Sequence, residues 1–135
     1  MQTFLPYSDF QQTAKCLDYK RLGKQRVEAK QILNILLDRT KTKGWRNHPA
    51  VLMWSGYDNA LKKYYNIILD EWISRGYNNS MTFECQHSDI IYPKFIGNYD
   101  FHNSHRSNLL RKDPTYYGKY NWNVSSTLPY IWGNK

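Results

Sequence analysis

Apolar residues recur at helical spacing through two long stretches of the chain. In the first, Leu17–Arg39, the residues Leu22, Ala29, Leu33 and Leu36 fall on one side and predict a helix with one apolar stripe. The helix is expected to run on to TKTKG, where Gly44 supplies the stop and the lysines suit a helix C-terminus. A brief turn of helix, Phe10–Cys16, capped by Ser8 or Asp9, leads into it. Ahead of that turn, Met1–Tyr7 is short and apolar, and Pro6 holds it out of helix. Gly23 costs the long helix about 1 kcal/mol relative to Ala, and either permits a close approach or marks a bend.

The second stretch begins at Pro49, a good first helical residue, and runs to Gly76, with a nick expected at Gly56. Leu61, Tyr64, Tyr65, Ile68 and Trp72 form its stripe, read as core. Residues 77–100 are irregular, with either a short strand near Ile90–Tyr92 or a long ordered loop. A third helix, about Asn103–Arg111, must end before Pro114. From Thr115 to Lys135 the chain is rich in aromatics with little periodicity, which predicts an extended tail packed on the helices. The expected architecture is all-α: one compact domain over residues 1–135, with three main helices and an aromatic-rich extended C-terminal tail.

Charge adds direction to this picture. The net charge of +8 makes polyanions natural partners. Residues 1–48 carry ten Lys/Arg against four Asp/Glu, residues 49–99 four against five, and residues 100–135 five against two. Two basic ends flanking a neutral middle are the distribution expected if both ends line one anionic groove. Two cysteines, Cys16 and Cys85, make no disulfide framework, although a single bridge stays open. No signal peptide and no membrane span is visible, so the default is a cytoplasmic protein with reduced thiols.

Candidate chemistry centres on the first long helix. Arg21, Lys24 and Glu28 stand at i, i+3 and i+7 on the shoulder of its apolar stripe, with Gln25 beside them. Glu28 is either a solvated charge paired with Lys24 or the one carboxylate placed for chemistry on a basic helix. His102, His105 and Arg106 occupy neighbouring positions at the start of the third helix, as a phosphate clamp or as capping and surface hydrogen bonds. Asp113–Tyr120 interleaves aromatics with Lys119, a pattern suited to stacking on bases or sugars while the lysine meets phosphate. The pairs Cys85/His87 and His102/His105 match no zinc spacing, so no metal is expected. The absence of GxSxG, P-loop and GxGxxG motifs gives acyl-transfer, NTPase and dinucleotide readings no foothold.

Several stretches in order carry a resemblance. LDYKRLGKQRVEAKQIL is similar to the first long helix of the bacteriophage-type pyrimidine dimer DNA glycosylases, the small endonuclease V enzymes that are also abasic-site lyases. HPAVLMWSGYDNALKKYYNIILDEWISRGY resembles their second helix, and DPTYYGKY their aromatic-basic tail segment. TFLPYSDF, RLGKQRVE, WRNHPA and HRSNLLRKDP resemble more closely a bacterial and viral subgroup filed with these enzymes.

The resemblance implies a compact helical domain that binds duplex DNA and flips a nucleotide out of the stack. It places Glu28 on the family's catalytic glutamate, which stabilises a cationic sugar and shuttles protons for β-elimination. The family's nucleophile is an N-terminal α-amine, a far weaker base than a lysine and so more often neutral at pH 7. Residue 2 is Gln, whose bulk keeps Met1 in place, so the implied amine is that of Met1, with Lys24 or a water as alternatives. The leader between Thr3 and the long helix is longer than in the phage enzyme, and two basic positions of the family's first helix fall on Val27 and Gln31. Arg21, Lys24, Arg26, Arg46 and Arg106 are then the expected phosphate contacts. His48, His102 and His105 are expected by the DNA, and Tyr116, Tyr117 and Lys119 along its backbone or groove.

The function expected is a DNA repair glycosylase acting on a damaged or modified pyrimidine in duplex DNA, needing no cofactor. It is expected to act as an intracellular monomer without an obligate protein partner, nucleoid-associated or virus-encoded. A non-catalytic DNA-binding protein and a hydrolase or transferase acting on a nucleotide or nucleoside are the alternatives.

Overall fold

The first long helix ends about two turns sooner than the sequence pattern predicts, and the reason is visible in the backbone. In the computed structural model, which describes residues 1–41, 44–87 and 89–133, the first helix α1 spans Phe10–Cys16 and α2 spans Tyr19–Leu36. Asp9 caps α1, its side chain accepting from Gln11 N and Gln12 N. After Leu36, Asp38 takes the left-handed conformation at φ 57°, and Arg39 N turns back to Asn34 O at 2.7 Å. That closure satisfies the carbonyls of the last turn at Asp38, not at the expected Gly44. Thr42 and Lys43 of the expected TKTKG terminus lie outside the described residues.

The second stretch is two helices. Short α3, Pro49–Leu52, is followed by a turn in which Gly56 has φ +84°, and α4 then runs Asp58–Ser74. The nick expected at Gly56 is a full break, because a left-handed residue cannot continue an α-helix. The third helix, α5, covers Tyr99–Lys112 and begins four residues earlier than expected, capped by Asn98 accepting from Phe101 N. Residues 115–120, expected as extended tail, belong to α6 (Pro114–Tyr117) and a 3₁₀ turn, Gly118–Tyr120. From 121 to 133 the tail has no regular element, and the described residues contain no strand.

The core lies where α2 packs along α4. Leu22, Ala29 and Leu33 of the first stripe are fully buried, as are Leu61, Tyr64, Tyr65 and Ile68 of the second, with Trp72 nearly so. Leu36, the last residue of the first stripe, is only partly buried. Gly23 marks a close approach: a Cβ there would lie 3.0 Å from the Trp72 ring.

Residues 77–87 and 89–98 carry no regular helix or strand, and side chains tie the loop down. Asn66 pairs with Glu84 N and Glu84 O, both at 2.8 Å, and Asn59 pairs with His87 N at 2.9 Å and His87 O at 3.0 Å. Two asparagines seven residues apart on α4 thus replace a neighbouring strand for the loop backbone. The Glu84 carboxylate joins Lys30 on α2 and Arg39 just beyond it. The hydrogen bond from Arg39 is the main cause holding its pKa down to about 2.

Cys16 is buried and Cys85 exposed, and both are free thiols. Among the described residues, no helix is long and apolar enough to cross a membrane. None of their His, Cys, Asp and Glu side chains gather in threes as a metal would need.

Candidate active site

Residues 2–6 run extended through the interior with Thr3, Phe4 and Leu5 buried, so their backbone groups need partners that no helix or sheet supplies. Side chains supply them. Gln2 N donates to Glu28 Oε2 at 2.9 Å, and Gln2 O accepts from Gln25 Nε2 at 2.9 Å. Phe4 N donates to Gln25 Oε1 at 3.0 Å, and the Tyr64 hydroxyl lies 2.8 Å from Phe4 O and 2.6 Å from Gln25 Oε1. Thr3 O accepts from the Tyr130 hydroxyl, and Thr3 Oγ1 accepts from Trp54 Nε1 at 3.2 Å. Leu5 N donates to His105 Nδ1 at 2.9 Å, and Leu5 O accepts from His102 Nδ1 at 2.7 Å. Pro6 O accepts from Arg106 Nε at 2.7 Å. Each such bond, if missing, would leave a buried polar group costing about 1–3 kcal/mol.

Gln25 and Glu28 stand one turn apart on α2, so the same helix face grips the leader and presents the carboxylate. The result puts Met1 and Glu28 on the wall of one cavity of about 350 Å³, completed by Gln31, Asn34, Ile35, Thr40 and Trp45. A cavity of that size lies at the lower end of the range that holds small ligands. His48 is close enough to the chain's first amine for that charge to lower its pKa, after burial as the larger cause. Its Nδ1 accepts from Ala50 N at 3.0 Å, which starts α3, and its ring meets Trp45 edge-on at 5.5 Å between centroids.

The histidines of α5 take a different part from the phosphate clamp that their spacing suggests. His105 is fully buried, with Nδ1 accepting from Leu5 N and Nε2 donating to Ile131 O at 3.2 Å. His102 Nε2 accepts from Gly97 N at 2.8 Å while Nδ1 donates to Leu5 O. Both ring nitrogens of each are occupied by backbone, so neither has one left for a phosphate. Burial pushes the His105 pKa down to about 3 and lowers that of His102, keeping both neutral.

The remaining basic and aromatic candidates divide by location. Lys24 is exposed on α2 one turn before Glu28, and Arg21 is paired to Asp18 at 3.2 Å. Arg26 points to the opposite flank, stacked 4.3 Å from the Trp72 ring centroid with Nη1 on Met81 Sδ. Arg46 pairs with Asp38 and borders a smaller groove that shares Ile35 with the cavity. Arg106 lies against the rings of Tyr7 and Trp122, 4.7 Å and 5.5 Å from their centroids. Tyr117 is buried, its hydroxyl donating to Asp18 Oδ1 and accepting from Asp18 N at 3.0 Å, so it fixes the start of α2 and has no surface to offer a DNA groove. The Tyr116 hydroxyl donates to Leu17 O, and Lys119 covers the Tyr116 ring at 3.9 Å.

Of the candidates, only Met1 and Glu28 line the cavity. Sequence reasoning missed Asn34, Thr40 and Trp45 as wall residues and saw Gln31 only as a lost basic position. It also missed the backbone grip of Gln25. The available signals were the placement of Gln25 one turn before Glu28 and the lone tryptophan opening WRNHPA.

Residues 1–85 match a family model described as pyrimidine dimer DNA glycosylase, and this covers more than half of the chain. Searches of curated proteins and of solved structures each give no match.

Proposed function

The chain belongs to the pyrimidine dimer DNA glycosylase family, and on that premise we propose that it excises a damaged or modified pyrimidine from duplex DNA with Glu28 as the catalytic carboxylate and the Met1 α-amine as nucleophile. The observation that carries this reading is the shared cavity: Met1 and Glu28 form its wall, and Gln2 N is fixed on Glu28 Oε2 at 2.9 Å. The longer leader reaches the carboxylate because Gln25, Tyr64 and the α5 histidines hold it straight through the core.

In this reaction the neutral amine attacks C1′ of the flipped nucleotide, and the base leaves with the electrons of the glycosidic bond. Cationic character grows on the sugar as that bond lengthens, and a carboxylate in a walled cavity stabilises it without reorganising. Ring opening gives a Schiff base between the amine and C1′. Glu28 then accepts a proton from C2′, and the 3′ phosphate leaves by β-elimination. Lys24, exposed on α2 one turn before Glu28, and Arg46, released from an exposed ion pair worth little in water, supply phosphate contacts.

Borohydride trapping on abasic-site and ultraviolet-irradiated duplexes, comparing wild type with Glu28→Gln, tests the reading. A covalent adduct in the wild type that is lost in the variant supports it. Base release without an adduct favours a water nucleophile. Neither adduct nor release, with duplex binding equal in both proteins, overturns the glycosylase reading on those substrates. The salt dependence of binding tests the phosphate contacts, since Lys24→Ala should lower the slope of log K against log salt by about one.

A further inference from the structure

The C-terminal tail has no regular element beyond Tyr120, yet α5 holds it at defined points. Ser107 Oγ accepts from Leu128 N at 2.9 Å, and Ser104 Oγ accepts from Ile131 N at 3.1 Å. These serines stand one turn apart on α5, and His105 beside them donates from Nε2 to Ile131 O. Arg111 Nη1 donates to Ser126 O at 2.6 Å and to Leu128 O at 3.2 Å. Gly133 seats the end of the described tail on the core, where a Cβ would lie 2.2 Å from the Phe95 ring.

Docked this way, the tail reaches the leader. The Tyr130 ring stacks on His105, with centroids 4.3 Å apart and planes 20° from parallel, and Trp132 meets Tyr130 edge-on at 4.5 Å. In an extended chain successive residues turn their peptide groups to opposite sides. Residues 2 and 4 accordingly bond to Glu28, Gln25 and Tyr64, while residues 3 and 5 bond to Tyr130, His102 and His105. The carbonyl of buried Thr3 thus faces away from α2, and Gln25 cannot hold it. Among the described residues, Tyr130 is the one donor to Thr3 O.

We infer that Tyr130 is a positioning residue for the proposed reaction: by fixing the Thr3 carbonyl on the side away from α2, the tail holds the first amine beside Glu28. This rests on the glycosylase reading for the role of that amine. Tyr130 touches no reacting atom, and it lies beyond residues 1–85 that match the family model. Gln2 keeps its own bonds to Glu28 and Gln25, so loss of the Tyr130 hydroxyl loosens the leader without releasing it.

Tyr130→Phe tests this, since it keeps the ring on His105 and removes only the hydroxyl. In the free protein, amide exchange at Gln2 and Phe4 should rise about tenfold, the worth of one hydrogen bond, while Leu33 in α2 and Ile68 in α4 change less than about twofold. Single-turnover base release from a duplex with one cyclobutane thymine dimer should fall about tenfold or more, with the Kd for that duplex within about twofold of wild type. Arg111→Ala frees the tail backbone without touching the core and should move the same two amides in the same direction, which covers a Tyr130→Phe protein that fails to fold. Unchanged exchange at Gln2 and Phe4 overturns the inference. So does a rise shared equally by Leu33 and Ile68, which marks an ordinary core contact. An unchanged rate of base release overturns it as well, and so does a loss of duplex affinity as large as the loss of rate, which would place Tyr130 on the DNA. Raised exchange at Gln2 and Phe4 in a protein whose wild type releases no base would leave the tail's hold on the leader standing while the catalytic reading falls.

Discussion

The backbone amide of Gln2 donates to Glu28 Oε2 at 2.9 Å across 26 positions of sequence. This bond defines where the leader ends and where the carboxylate points. It also makes the catalytic proposal open to conservative substitution, since Gln at position 28 retains an oxygen to accept from Gln2 N while losing its charge. Glu28→Gln should therefore fold with a urea midpoint close to wild type but lose about 10²–10³-fold or more in single-turnover base release. A variant that keeps full activity would remove Glu28 from the mechanism.

The position of the first amine is set by the same grip. One alanine added ahead of Met1 moves the amine by up to about 3.5 Å while leaving every bond from Gln2 to Pro6 in place. Misplacement on that scale should reduce borohydride-trapped adduct by about a hundredfold or more. Mass spectrometry of the intact protein verifies the start of each chain before the comparison is made. Undiminished trapping would transfer the nucleophile's role to Lys24 or another group.

His105 gives the fold an acid-sensitive contribution. Its folded pKa lies near 3, well below the 6.5 of a free histidine, so between those values the unfolded chain binds the extra proton. Its share of stability is complete above about pH 6.5 and falls as pH drops toward 3, by up to about 1.4 kcal/mol per pH unit. His105→Asn, which keeps an acceptor near Nδ1 but cannot titrate, should be less stable at pH 7 and show a shallower loss between pH 6.5 and 4.5 in urea melts. Equal slopes in the two proteins would sink the assignment.

Glu84 acts in a lower window. Its folded pKa is about 2, held down chiefly by Arg39 and then Lys30, so its contribution is complete above pH 4.5 and lost as pH falls toward 2. Glu84→Gln should destabilise by about 1–2 kcal/mol at pH 7, a range discounted because Arg39 is partly exposed. The loop at residues 77–98 should show the first gain in amide exchange.

Gly23 tests packing against propensity. Alanine is favoured in a helix by about 1 kcal/mol, but its Cβ would meet Trp72, which Tyr19 stacks on one side and Arg26 and Tyr77 hold on others. With that ring unable to yield, Gly23→Ala should lower stability by about 1 kcal/mol or more in urea unfolding. A stabilised variant would show that the Trp72 cluster gives way.

The sequence by itself determined the helices that form the core. The stripes of α2 and α4 are local, repeating every three or four residues, and burial follows directly from that period in Leu22, Ala29, Leu33, Leu61, Tyr64 and Ile68. Glu28 stood out as a lone carboxylate on a basic helix, and resemblance supplied its role. Tertiary structure decided what no local period encodes. Leu5 meets His105 across 100 positions and Thr3 meets Tyr130 across 127, so histidines that look like phosphate ligands in sequence are spent on a buried leader. A backbone without helix or sheet partners must take its hydrogen bonds from whichever side chains the fold brings to it. The walls of the Glu28 cavity likewise come together only when Trp45 is carried back over α2.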